Sequence, residues 1–125
     1  VPVQAGLAAV VELTVSEADT AIALRSGDVP MLGTPRVVAL VEEATCRALD
    51  GKLDPDLTSV GMRVELSHLM PVPVGGTVVA EAHLDRVEGR RLTFNVSVTN
   101  ERGLVAAGKV TRVIVRRSEF LERAH

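Results

Sequence analysis

The chain has 125 residues, is 46% hydrophobic, and sets 14 Lys and Arg against 16 Asp and Glu for a formal net charge of −2. That length and apolar content suit one domain with a packed core and leave no room for a second. Cationic residues are scattered and two Phe are the whole aromatic complement, so nucleic acid is excluded as a partner for want of a basic footprint and of stacking platforms.

The opening segment, VPVQAGLAAVVELTV, has no basic region or cleavage pattern, and Glu12 interrupts its apolar run. It is expected to be neither a secretory signal nor a membrane span, which makes a cytoplasmic protein the expectation. Cys46 is single, which fits a reducing compartment and excludes an internal disulfide. Within the segment, Leu7 to Val15 alternates well enough to read as a first strand, and TAIALR reads as another short one. Ser26 to Pro35 is rich in Gly, Pro and Asp and reads as a loop.

Thr34-Pro35 marks a helix start, with Thr34 as the capping hydroxyl and Pro35 where its missing N–H costs nothing. The helix is expected over Pro35 to Leu49, closed by Gly51 in a left-handed conformation. Beyond it Val60, Met62, Val64, Leu66 and His68 fall on one face of a strand, and Gly61, Arg63, Glu65 and Ser67 on the other. MPVPVGG then forms a connection.

Val78, Ala80, Ala82 and Leu84 alternate with polar residues, EGRR makes a turn, and Leu92, Phe94, Val96 and Val98 repeat the pattern. After the turn NERG, the strand Leu104 to Val115 carries apolar residues on both faces, including Val105, Ala107, Val113 and Val115, so a second subunit is expected to cover its outer face. One early helix followed by long strands predicts an α+β fold, a curved antiparallel sheet wrapped over a single helix. A ferredoxin-like fold needs a second helix after Leu92, where the pattern is extended throughout.

The helix carries two adjacent carboxylates with different surroundings. At roughly 100° per residue, Val37, Val41, Ala44 and Ala48 share one line, and Glu43 falls on the wet side within reach of Arg47. Glu42 falls at the apolar edge, beside Leu49 and Cys46. Such a carboxylate is either a boundary residue whose head reaches water or a group placed for chemistry. His68 closes an apolar series and points inward, either as a buried histidine with a backbone partner or as a base beside that carboxylate. Gly61 permits a close approach of backbone or ligand. His83, His125, Cys46, Asp54 and Asp56 form no metal-ligand spacing, and no glycine-rich phosphate loop follows a strand.

With Thr34, Glu42, Gly61 and His68 in view, the chain resembles the hotdog-fold thioesterases, and among them the fluoroacetyl-CoA thioesterase family. The resemblance covers roughly Leu24 to Glu119 and is carried by GTPRVVALVEEATCRAL, SVGMRVELSHLMPVPVGGTVVAEAHL, VEGRRLTFNVSV and AAGKVTRVIV. It implies one hotdog domain over residues 1–125, with Thr34, Glu42 and His68 as the catalytic set. It further implies that the backbone of Gly61 shapes the thioester pocket and that Arg112 stands near it. The implied substrate is an acyl-CoA, with CoA as part of the substrate, no separate cofactor and no metal. The implied assembly is a homodimer or higher homo-oligomer joined sheet edge to sheet edge.

The family enzyme specific for fluoroacetyl-CoA closes its pocket with phenylalanines, whereas RSGDVPMLGTP, ahead of this helix, has none. A more general acyl-CoA thioesterase is therefore the expectation. The alternatives are a noncatalytic acyl-CoA or small-ligand binding protein, a hydratase of the same fold, and a purely structural role.

Overall fold

The computed structural model describes residues 3–125; Val1 and Pro2, which open the segment read for a leader, lie outside the described residues. The elements run β1 (Ala8–Thr14), α1 (Ala21–Leu24), α2 (Thr34–Ala48), β2 (Leu57–His68), β3 (Thr77–Glu88), β4 (Arg91–Asn100), β5 (Gly103–Arg116) and α3 (Arg117–Glu122). The strands form one antiparallel five-stranded sheet in the order β1-β3-β4-β5-β2.

Helical periodicity places Val37, Leu40, Val41, Ala44 and Ala48 on one side of α2, and all are buried. They form one core with Val78, Ala80, Ala82 and Leu84 of β3 and Leu92, Phe94, Val96 and Val98 of β4. Each fully buried Val, Leu or Phe contributes roughly 1.5–3 kcal/mol, and that burial, rather than helix propensity, holds α2 against the sheet. Among the described residues no helix is long and apolar enough to cross a membrane.

Two local expectations are corrected. TAIALR is not a strand: Thr20 caps the single turn α1 by accepting a hydrogen bond from the Ala23 amide, and Arg25 ends it in the left-handed region at φ 60°. Thr34 does not cap α2. Gly33 is the residue at the cap and Thr34 is already helical, which leaves the threonine hydroxyl free for another partner.

β5 is interior, flanked by β4 and β2, and a register irregularity against Val98 and Thr99 lets the consecutive residues Val105 and Ala106 both be buried. The strand that ends this side of the sheet is β2.

β2 also departs from simple alternation. Gly61 pairs with Arg112 and Arg63 with Thr111, so the register shifts around Met62. A bulge of this kind inserts one residue and reverses the parity of everything before it. Val64, Leu66 and His68 lie opposite Val110, Gly108 and Ala106 and face α2 as their alternation predicts, whereas before the bulge it is Ser59 and Gly61 that lie opposite Ile114 and Arg112. Met62, assigned inward by alternation, is half exposed.

Candidate active site

The first turn of α2 is fixed from outside the helix. Gly33 packs so closely on Ala21 that a β-carbon there would lie 3.1 Å from the Ala21 backbone, and its amide donates to the Asp19 carbonyl at 2.8 Å. Arg36 reaches back from the same turn to Asp19, with Nε 3.0 Å from Oδ1. Burial pushes the Asp19 carboxyl up, but the amide and hydroxyl of Ser16 and the Arg36 guanidinium outweigh it and hold the group below its ordinary value of 3.8.

On that anchored turn, Thr34 Oγ1 lies 2.8 Å from His68 Nδ1, at the C-terminal end of β2. His68 Nε2 is buried and has no hydrogen-bond partner among the described residues. The pair borders a pocket of about 350 Å³ whose walls include Val29, Met31, Leu32, Leu69 and Met70. A hydroxyl hydrogen-bonded to an imidazole at the mouth of a pocket is an arrangement from which a proton can be moved during attack on a carbonyl. A larger cleft, of about 720 Å³, lies between the β2–β3 connection and the β4–β5 turn and contains none of these residues.

Glu42 belongs to a second group. Its Oε2 lies 3.6 Å from Arg112 Nη1, with the guanidinium side chain 8% exposed and the carboxylate 35%. Arg112 is held from its other side by Ser59: Nε donates to Oγ at 2.8 Å and Nη2 to the Ser59 carbonyl at 3.0 Å. Gly61 completes the group, because a β-carbon there would overlap Glu42 Oε2. Glycine is the residue that lets the carboxylate lie against the β2 backbone. Glu43, its neighbour, turns outward to Arg47 at 3.1 Å, as helical spacing predicts.

The structure thus brings together Thr34 with His68, and Glu42 with Gly61 and Arg112. It does not place the imidazole beside the carboxylate within one chain: Glu42 makes its ion pair with Arg112, and His68 its hydrogen bond with Thr34. Eight residues of helix separate Thr34 from Glu42, about 12 Å of rise. Ser59 escaped the sequence reading because strict alternation carried back from His68 puts it on the outer face, and only the bulge turns it inward. Among the described residues no three His, Cys, Asp or Glu side chains group as a metal set.

A five-stranded antiparallel sheet wrapped over one helix, with polar groups where that helix meets the edge strand, defines a hotdog-fold protein. The model of the family described as fluoroacetyl-CoA-specific thioesterase matches residues 15–118, and the chain belongs to that family. The fluoroacetyl-CoA thioesterase of Streptantibioticus cattleyicolor is 32% identical over 90 residues, covering 72% of this chain and 65% of that relative, just under two thirds of its length. A crystallised fluoroacetyl-CoA thioesterase matches with a TM-score of 0.91 at 26% identity, over 98% of this chain and 96% of that one. A hot-dog-like protein from Thermanaerovibrio acidaminovorans matches with a TM-score of 0.89 at 29% identity, over 96% and 89%. A thioesterase superfamily member from Thermus thermophilus gives 0.87 at 28% identity, over 98% and 93%.

Proposed function

We propose that the protein hydrolyses an acyl-CoA thioester to the free acid and CoA. The observation that carries this reading is the Thr34–His68 hydrogen bond at the mouth of a pocket with both aliphatic and polar walls, in a chain of a thioesterase family. In the proposed reaction the acyl group lies in the pocket with its carbonyl at Thr34. Water adds to the carbonyl carbon and the C–S bond breaks. Glu42, with Arg112 beside it, orients and deprotonates that water, and His68 passes a proton to the departing thiolate. A covalent route would have the Glu42 carboxylate attack instead and form an anhydride that water then opens. Where water opens that anhydride at the glutamyl carbonyl, a single turnover in ¹⁸O water leaves label on Glu42, which direct attack of water on the thioester does not.

The two groups of side chains are completed in a homodimer. α2 runs opposite to β2, so Thr34 and His68 stand near one end of the shared surface and Glu42 and Gly61 nearer the other. β2 is an edge strand of 12 residues, and such an edge presents unpaired N–H and C=O groups to a second copy. Antiparallel pairing of two β2 strands about a twofold axis near Val64 sets Gly61 of each protomer against His68 of the other. Each active site then takes Thr34 and His68 from one chain and Glu42, Gly61 and Arg112 from its partner.

Val29, Met31, Leu32, Leu69 and Met70 form the apolar part of the pocket lining beside Ser26 and Asp28, with no phenylalanine among the described lining residues, so we assign the acyl group as a short or branched aliphatic chain rather than fluoroacetyl. The test is release of free thiol from straight, branched, aryl and fluoroacetyl CoA thioesters by the parent protein, Glu42→Gln and His68→Ala. Hydrolysis of aliphatic thioesters that both substitutions abolish is the expected result. Tight binding of acyl-CoA without thiol release across the whole panel would replace the enzyme with a binding protein.

A further inference from the structure

We infer that Ser59 is a positioning residue: it holds the Arg112 guanidinium by its Nε and Nη2 side, so that Glu42 meets only Nη1 and is kept free to act on water. The role assigned to Glu42 rests on the thioesterase reading; the grip on Arg112 does not. Arginine and carboxylate ordinarily prefer a two-pronged contact in which both oxygens are taken. Here the Ser59 hydroxyl and carbonyl occupy the Nε and Nη2 donors at 2.8 and 3.0 Å, and the contact to Glu42 is a single one at 3.6 Å, beyond hydrogen-bonding distance. Arg112 is the charged group paired with Glu42, since β2 presents the bare backbone of Gly61 at this point and Glu43 is turned away to Arg47.

In Ser59→Ala the Nε–H loses its acceptor inside a buried site. A buried donor without a partner is costly, and the carboxylate of Glu42 is the acceptor within reach. The guanidinium then gives up its remaining bond to the backbone carbonyl of residue 59 and turns its two-donor side onto Glu42, a charged acceptor for both donors, and Glu42 loses the oxygen that would face water. Ser59→Thr keeps the hydroxyl and with it the original arrangement.

Two measurements test this on the full-length chain. In the ligand-free protein, the Arg112 ¹⁵Nε–¹Hε cross-peak is expected to shift in Ser59→Ala and to stay in place in Ser59→Thr. Adding Glu42→Gln is expected to move that peak in the Ser59→Ala background and not in the parent. An unmoved peak in Ser59→Ala, or a peak that Glu42→Gln moves with Ser59 intact, would overturn the grip. In thiol-release assays Ser59→Ala is expected to lower kcat about tenfold with KM changed less than about twofold, and Ser59→Thr to restore kcat. A loss seen only in KM, or an unchanged kcat, would overturn the role in turnover. If the parent protein hydrolyses nothing, the thioesterase reading fails while the cross-peaks still decide whether Ser59 sets the orientation of Arg112.

Discussion

Thr34 gives its hydroxyl to His68, not to the helix it begins: Oγ1 lies 2.8 Å from Nδ1, while Gly33 takes the capping position and offers no side-chain bond. The threonine is therefore available for chemistry without a competing structural duty. Thr34→Ala is expected to lower kcat/KM for thioester hydrolysis by about 10²-fold or more and His68→Ala by about 10²–10⁴-fold. Because no cap is lost, Thr34→Ala should change stability by less than about 0.5 kcal/mol, read from denaturant midpoints. A substitution that removed activity by unfolding the chain would instead move both quantities together.

Separation of Thr34 and His68 from Glu42 within one chain makes a prediction about mixed dimers. Glu42→Gln and His68→Ala, each inactive alone, are refolded together in equal amounts. Half of the dimers are then hybrids with one complete site in two, so about a quarter of the parent activity should return. Sites built within single chains would return none.

Gly61→Ala tests the contact between strand and carboxylate. The added methyl overlaps Glu42 Oε2, and the carboxylate is the flexible partner, so it is displaced while β2 stays paired. The expected outcome is a loss of at least about tenfold in kcat with a stability change under about 1 kcal/mol. Thermal melts run beside the thiol-release assay separate the two effects.

Asp19 ties the segment ahead of α2 to the turn that carries Thr34. Its folded-state carboxyl is held below 3.8, so the stability it contributes is fully present above the unfolded-state value and is lost as pH falls through the lower folded-state value. Asp19→Asn is expected to destabilise the protein by about 1–3 kcal/mol near neutral pH. The difference from the parent should shrink below about pH 4. Urea midpoints measured across that range check both the size and the sign.

Much of this architecture is legible in local periodicity. The helix, the contrasting positions of Glu42 and Glu43, and the alternation of β3 and β4 each depend on residues within a few positions of one another, and spacing along the chain sets them directly. The inward direction of His68 follows from alternation because Val64, Leu66 and His68 all lie on the same side of the bulge. Met62 and Ser59 were not legible, since one inserted residue reverses their facing and is visible only in the pairing of β2 with β5.

By itself, then, the sequence determined the long helix α2 and the strand segments β1 to β5, the apolar faces of α2, β3 and β4, and that Glu43 belongs to Arg47. Periodicity and helical reach are properties of a short stretch of chain. Tertiary structure alone decided that Thr34 meets His68 across 34 positions, that Ser59 grips Arg112 across 53, and that β2 lies at an edge of the sheet. Those outcomes depend on strand order and on a register shift set by pairing between distant segments, which no local pattern encodes.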